Sequence, residues 1–378
     1  MCSGPAARAD RPWEGDGPSR RHAHCAGHAD LRGGDVIGTA RANGAGRISI
    51  TGLGCRVPDR IVTNDELSET LDTSDEWILE RTGIRERRIA KPEEALSDLC
   101  LPACHQALAQ AGAAASSIDL LIVATVTPDM AFPSTAAILA DALGAHDAAA
   151  YDLSAGCTGF MYALAQAYGM LAGGLAKRAL VVGGDILSRI LDWSDRGSAV
   201  VFGDGAGAVV LDRVDRGGFV GFELGADGAG GRHLLLAAGG SRLPASAETV
   251  ARKQHFVEMN GREVFKFATR VLVSSAEKLL AECGRTVEEV DVYVPHQANV
   301  RIIEHAAKRL GIPGDRIVIN VDRYGNTSSG SIPLALHDAA RDGRLRDGRL
   351  VLMTGMGAGL TWGSSLLHWT EAEAAAAA

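Results

Sequence analysis

From residue 47 onward, short runs that are apolar almost throughout alternate with longer stretches rich in alanine and leucine. "DLLIVATVTP" (119–128) and "RALVVGGDIL" (178–187) show no polar alternation, which is the pattern of strands covered on both faces. Between them, "STAAILADALG" and "GFMYALAQAYGMLAGG" have helix-forming composition and end in glycine, with a strand-like "AAAYDLSA" separating the two. The second half repeats the scheme: a helix from Gly261 to Cys283, a strand at "VDVYVPHQAN" (290–299), a helix at "VRIIEHAAKRLG", then strands near "RIVIN" and "RLVLMTGMG". This alternation predicts an α/β protein with helices on both faces of a sheet, and its recurrence predicts a duplicated architecture.

The two ends break the pattern. Residues 1–46, rich in Gly, Ala, Arg, Asp and His, carry neither period and read as a disordered extension, and 372–378 read as a tail. That leaves an N-terminal half over 47–213 and a C-terminal half over 214–371. His22, His24, Cys25 and His28 in the extension are metal-ligating types, but their Gly/Ala-rich flanks offer nothing to orient a ligand, and no metal site is expected.

With 46% hydrophobic and 22% charged residues, the 378-residue chain has a globular composition. Its net charge of −8, without a Lys/Arg block interleaved with aromatics, argues against nucleic acid as a partner. The seven cysteines are odd in number and scattered, which suits free thiols in a reducing cytoplasm better than a disulfide framework. No apolar run reaches the ~18 residues of a membrane helix, and the N-terminus lacks a signal peptide's hydrophobic stretch, so a cytoplasmic protein without a membrane partner is expected.

Candidate chemistry begins at "DLSAGCTGF" (152–160), where Cys157 stands between two glycines at the junction of a strand and a helix. At the first turn of a helix, unpaired N–H groups and the dipole would favour a thiolate and lower the thiol pKa, and the glycines would let a ligand approach. On position alone the residue is either a nucleophile or a small buried hydrophobe. In the second half, "VPHQANVRI" puts His296 just past a strand end and "DRYGNTSSGS" puts Asn326 in a glycine-rich turn, both at places where α/β sheets carry chemistry. Each alone would more often be structural; together with Cys157 they make a Cys/His/Asn set. The glycine-rich "GLGCRVP" (52–58) and "GDGAGA" (203–208) are only partial dinucleotide fingerprints and are read as tight turns and close layer packing.

The chain resembles the β-ketoacyl-[acyl carrier protein] synthase III family of condensing enzymes. The resemblance is carried by "TSDEWILERTGIRERRIA" (73–90), "DLSAGCTGF", "DRGSAVVFGDGAGA" (195–208), "PHQANVRI", "YGNTSSGSIP" and "GAGLTWGSSLL", in order from about Ile48 to His368. It implies a thiolase-like αβαβα layered fold of two similar halves, and a homodimer. It also implies that Cys157 takes the acyl group of an acyl-CoA, with the N–H groups of Cys157 and Ala358 as oxyanion hole. His296 and Asn326 would then donate to the enolate formed when malonyl-[acyl carrier protein] loses CO₂, without metal or redox cofactor. The "GAG" loop departs from a triple-glycine form of the motif, which matters only if Ala358 needs a positive φ.

Further positions follow from the same resemblance. Trp77, Arg81, Arg196 and Asn299 match CoA contacts, with Trp77 and Arg196 sandwiching adenine. Phe132, Leu187 and Met259 match the acyl pocket, with Phe132 reaching across the dimer. Lys266, Arg301 and Lys308 match basic positions that dock the acidic carrier protein. Thiolases proper carry a second cysteine near the C-terminus as base; here the last cysteine is Cys283 and "TGMGAGLTWGSS" has none, which disfavours condensation without decarboxylation. Two other readings stay open: an acyltransferase passing the acyl group from Cys157 to a hydroxyl or amine, and an inactive scaffold that binds carrier protein.

Overall fold

The computed structural model describes residues 39–41 and 47–371. The expected extension, apart from the short strand Thr39–Arg41, lies outside the described residues, as do its His22, His24, Cys25 and His28 and the tail 372–378.

Two five-stranded sheets repeat one plan. In the first the order is Arg47–Arg56, Gly205–Val214, Ala179–Asp185, Leu120–Ala124, Ala149–Leu153, with two antiparallel pairings followed by two parallel ones. In the second, Gly218–Ala226, Thr361–His368, Leu350–Gly357 and Val292–Pro295 follow with the same sequence of orientations, and Thr39–Arg41 is added at the outer edge beside Gly218–Ala226. Where the first sheet has Ala149–Leu153, the second has only a single parallel bridge between Tyr293 and Ile317. The strand expected at "RIVIN" is thus not formed. Gln297 intercepts the groups a ladder would use: its amide donates to the carbonyls of Pro295 and Val318 and accepts from the N–H groups of Asn320 and Val321.

Helices fill three layers. Leu96–Gln110 and Thr135–Leu143 cover the outer face of the first sheet, where Leu99, Ala103, Leu139 and Leu143 pack on Leu121, Val123, Leu180 and Val182. Gly261–Glu282 and Val300–Leu310 cover the second, burying Leu272, Leu279, Ile303 and Ala306 against Leu352 and Leu366. Between the sheets lie Gly159–Ala172 and Ser331–Arg341, whose Phe160, Leu164, Ile332 and Leu336 share a core with Ile122, Val181, Val294 and Met353. The result is the expected αβαβα layering.

Most of each glycine stretch lies in a strand, Gly52–Arg56 in Arg47–Arg56 and Gly205–Ala208 in Gly205–Val214. A Cβ on Gly52 or Gly54 would come within 2.0 Å of a carbonyl oxygen of the helix Leu96–Gln110, so these glycines serve close layer packing. Among the described residues, no helix is long and apolar enough to cross a membrane.

Candidate active site

Three carboxyl ends of parallel strands converge on one region, the usual place for chemistry in an α/β sheet. Cys157 follows Ala149–Leu153, His296 follows Val292–Pro295 directly, and Asp185 closes Ala179–Asp185. Both central helices start here too, one behind Cys157 and the other at Ser331.

The nucleophile turn is shaped by glycine. Gly156 has φ +57°, and a Cβ there would meet the Ala358 nitrogen at 2.6 Å, so the turn runs against the loop carrying Ala358. Ala358 itself has no positive φ, and alanine fits its place without strain. Cys157 lies ahead of the helix rather than in its first turn: Thr158 is the N-cap and Gly159 the first helical residue. The N–H groups of Cys157 and Ala358 and the Ser328 hydroxyl face the sulfur and favour its charge, yet the thiol is pushed up to about 11. Burial outweighs those donors, and the Asp185 carboxylate adds to it. The expected lowering is therefore reversed, and Cys157 rests as a neutral thiol.

His296 is buried, with Nδ1 2.6 Å from Ser331 Oγ and Nε2 without a partner. Gln297 N–H donates to the same Ser331 oxygen, leaving the hydroxyl hydrogen for Nδ1 and the imidazole proton on Nε2. Burial lowers the imidazole to about 4, so it stays neutral at physiological pH. The orientation of Asn326 is fixed as well: Oδ1 accepts from Ser328 N–H at 2.9 Å, which leaves the amide NH₂ for the cavity.

Cys157, His296 and Asn326 line one cavity of about 220 Å³, along with Trp77, Arg81 and Asn299. The helix Asp75–Thr82 sets its mouth. Ser74 caps it by accepting from Trp77 N–H, acidic residues occupy the first turn, and Gly83 ends it at φ +76°, which puts Trp77 and Arg81 four apart on one face. The Arg81 guanidinium lies 4.3 Å from the Trp77 ring centre, and that of Arg196 lies 4.7 Å from it. Arg196 thus stacks directly on the indole, and a base entering between them has to move the guanidinium aside. Asn299 caps the helix Val300–Leu310 through Arg301 N–H and donates to the Arg81 carbonyl, so its amide is already engaged where a pantetheine contact was expected.

On the other side of Cys157 lies an apolar cavity of about 160 Å³ lined by Val126, Leu187, Ile190, Phe202, Leu236 and Val257. Leu187 is where the sequence placed it. Met259 packs beside Leu187 and Phe202 but lines the larger cavity instead. Phe132 is 85% exposed and lines neither cavity of its own chain. Arg301 and Lys308 share the exposed face of Val300–Leu310, whereas Lys266 is paired with Glu263 at 2.7 Å and borders a separate cavity with Arg232, His233 and Arg270.

Ser328, Ser331, Asp185 and, Met259 apart, the paired strands Leu234–Leu236 and Val257–Met259, which wall both cavities, went unread in the sequence. Their only signals were an acid closing an otherwise apolar strand and a serine-rich run after Asn326.

Comparison with known proteins adds an independent line. A family model described as 3-oxoacyl-[acyl-carrier-protein (ACP)] synthase III matches residues 151–228, and the model of its C-terminal part matches 280–369. A β-ketoacyl-[acyl-carrier-protein] synthase III from Symbiobacterium thermophilum is 55% identical over 323 residues, covering 85% of this chain and 98% of the relative. The crystal structure of a β-ketoacyl-[acyl carrier protein] synthase III from Thermus thermophilus superposes with TM-score 0.80 at 49% identity, over 85% of this chain and 99% of that one. The priming β-ketosynthase of the R1128 polyketide biosynthetic pathway does so with TM-score 0.79 at 35% identity, over 86% and 97%.

Proposed function

The chain belongs to the β-ketoacyl-[acyl carrier protein] synthase III family, and from that premise we propose how its residues divide the work. The enzyme condenses an acyl-CoA starter with malonyl-[acyl carrier protein], releasing CO₂ and giving a β-ketoacyl-[acyl carrier protein] that begins a fatty acid or polyketide chain. The observation that carries the reading is the convergence of Cys157, His296 and Asn326 on one cavity, each polar group aimed by its own partner.

In the first half-reaction the Cys157 sulfur attacks the thioester carbonyl, and the thiol proton ends on the departing CoA thiolate. The N–H groups of Cys157 and Ala358, which already face the sulfur, receive the carbonyl oxygen as it becomes negative. In the second, the C–C bond to the malonyl carboxylate breaks and charge moves to the thioester oxygen. His296 Nε2–H and the Asn326 amide donate to it, each worth roughly 3 kcal/mol in the transition state. The carbanion then adds to the acyl-Cys157 carbonyl and expels the thiolate. A neutral imidazole suits this work, because it donates without first giving up a proton. The proposed chemistry runs on thiol, imidazole and amide groups, with no metal or redox group assigned a step.

Trp77, Arg81 and Arg196 are assigned to CoA, the Trp77 ring matching its adenine and the two guanidiniums its phosphates and the base's face. Phe132 and the edge strand Ala149–Leu153, which has no neighbour on one side among the described residues, are assigned to pairing with a second copy. Arg301 and Lys308, exposed on one helix face, are assigned to the acidic carrier protein. Arg301→Glu should then raise KM for malonyl-[acyl carrier protein] by about tenfold and leave Cys157 acylation from acyl-CoA unchanged, as steady-state and single-turnover rates would show. Unbridged Cys55, Cys100, Cys104 and Cys157 agree with work in a reducing compartment.

The apolar cavity sets the starter. An apolar cavity of about 150 Å³ accommodates benzene, so one of this size takes a tail of about six carbons. Across acyl-CoAs of increasing length with labelled malonyl-[acyl carrier protein], CO₂ release and product should rise from acetyl to starters of about four to six carbons, then fall sharply beyond about eight. Acyl transfer without CO₂ release would point to the acyltransferase reading, and neither event would leave only the scaffold.

A further inference from the structure

Asp185 closes the strand Ala179–Asp185, every residue of which is buried, and among the described residues it has no ion-pair partner. A carboxylate taken out of water there needs hydrogen bonds in place of hydration. Oδ1 accepts from the hydroxyls of Thr125 and Thr127, both at 2.9 Å, and from the N–H groups of Val126 at 2.8 Å and Thr127 at 3.2 Å. Oδ2 accepts from the Ser329 N–H at 3.2 Å.

Several of these donors lead to the site. Val126 lines the apolar cavity beside Cys157. The Ser329 hydroxyl donates to the carbonyl of Gly156, the residue before the nucleophile, at 3.1 Å. Ser328, its chain neighbour, gives its N–H to Asn326 Oδ1 and stands at φ +50°, a left-handed conformation that persists only where the surroundings hold it. Its buried hydroxyl lies between the Cys157 sulfur and the Asp185 carboxylate and lines the cavity next to Cys157.

We propose that Asp185 is a positioning residue: one buried carboxylate ties the Cys157 turn, the acyl-cavity wall at Val126 and the Ser328–Ser329 turn that orients Asn326 into one unit. The inference rests on the condensing function above. Neither half-reaction touches Asp185, yet both depend on it for the placement of their reacting groups.

Burial raises the Asp185 carboxyl while the Val126 N–H and the hydroxyls of Ser328, Thr125 and Thr127 hold it down, and in the alkaline range where the thiol titrates its charge leaves a second trace. The titratable groups facing Cys157 are Asp185 and, on the larger cavity, the neutral His296, with Arg81 farther out at the mouth; facing Asp185 are the thiols of Cys157 and Cys100. Negative charge beside a buried thiol opposes its ionisation, so removing that charge eases it.

Asp185→Asn keeps the shape, removes the charge and turns an amide NH₂ toward a donor on one side. Condensation should fall at least about tenfold. The rate of Cys157 alkylation by iodoacetamide should rise at fixed pH, with its pH profile moved to lower pH. Unfolding would also free the thiol and ease its ionisation, so the result counts only with a cooperative thermal transition and with alkylation confined to Cys157 while the buried Cys100 and Cys104 stay unmodified. Condensation within about twofold of wild type, or an unmoved alkylation profile, overturns the proposal. If the variant shows no cooperative thermal transition, Ser329→Ala decides instead: it cuts only the tie to Gly156 and should slow single-turnover acylation several-fold, and an unchanged rate overturns the proposal. Failure of the wild-type enzyme to release CO₂ would refute the condensing function, whereas the alkylation profile still reports on Asp185.

Discussion

Cys157→Ala is expected to abolish acyl transfer, with product formation falling by several orders of magnitude and no acyl-enzyme detectable. The expectation rests on placement. Cys157 lines both cavities, together with the apolar Phe202 and Leu234, and is the one nucleophile of those three; one cavity bears the residues assigned to CoA and the other is able to hold the starter's tail. Cys55, Cys100 and Cys104 line neither, and burial pushes the Cys55 and Cys104 thiols up to about 12. None of these can substitute. Because Cys157 also rests as a neutral thiol near 11, acylation should quicken as pH rises through the alkaline range, and the rate of acyl-enzyme formation against pH would check it.

Asn326→Ala separates the half-reactions. Acylation of Cys157 should proceed at close to the wild-type rate, while CO₂ release from malonyl-[acyl carrier protein] falls on the order of 10²–10³-fold. The amide is aimed by Ser328 N–H, in a pocket walled by Phe202, Met356 and Val200, where little water can take the place of a lost donor. His296 remains as the second donor, so some decarboxylation survives. Single-turnover acylation compared with labelled CO₂ release measures both, and equal losses in the two would show that Asn326 serves the fold rather than the enolate.

The layers and the three polar residues that meet at one cavity were legible because each had a local signature: unbroken apolar runs for the strands, glycine stops for the helices, and Cys157, His296 and Asn326 at strand ends or in a glycine-rich turn. What the sequence could not carry was set by contacts between distant segments. The thiol of Cys157 looked activated from its place before a helix, but its ionisation is governed by burial under Ser328, Ala358 and Asp185, which lie 28 to 201 positions away in the chain. "RIVIN" has the composition of a strand and fails to be one because a side chain 21 to 23 positions before the groups it binds, Gln297, takes its backbone groups. Phe132 and Arg196 were placed by resemblance alone. In the single chain the first is on the surface and the second rests on Trp77.

The central claim is that one cysteine carries the starter until a decarboxylated malonyl unit removes it. Intact-protein mass spectrometry tests it most directly: the enzyme is mixed with an acyl-CoA of four to six carbons, and malonyl-[acyl carrier protein] is added afterwards. The account predicts a mass increase of one acyl group, mapped to Cys157, that disappears as β-ketoacyl-[acyl carrier protein] forms. An acyl group that persists after malonyl-[acyl carrier protein] is added, or that maps to another residue, would contradict it.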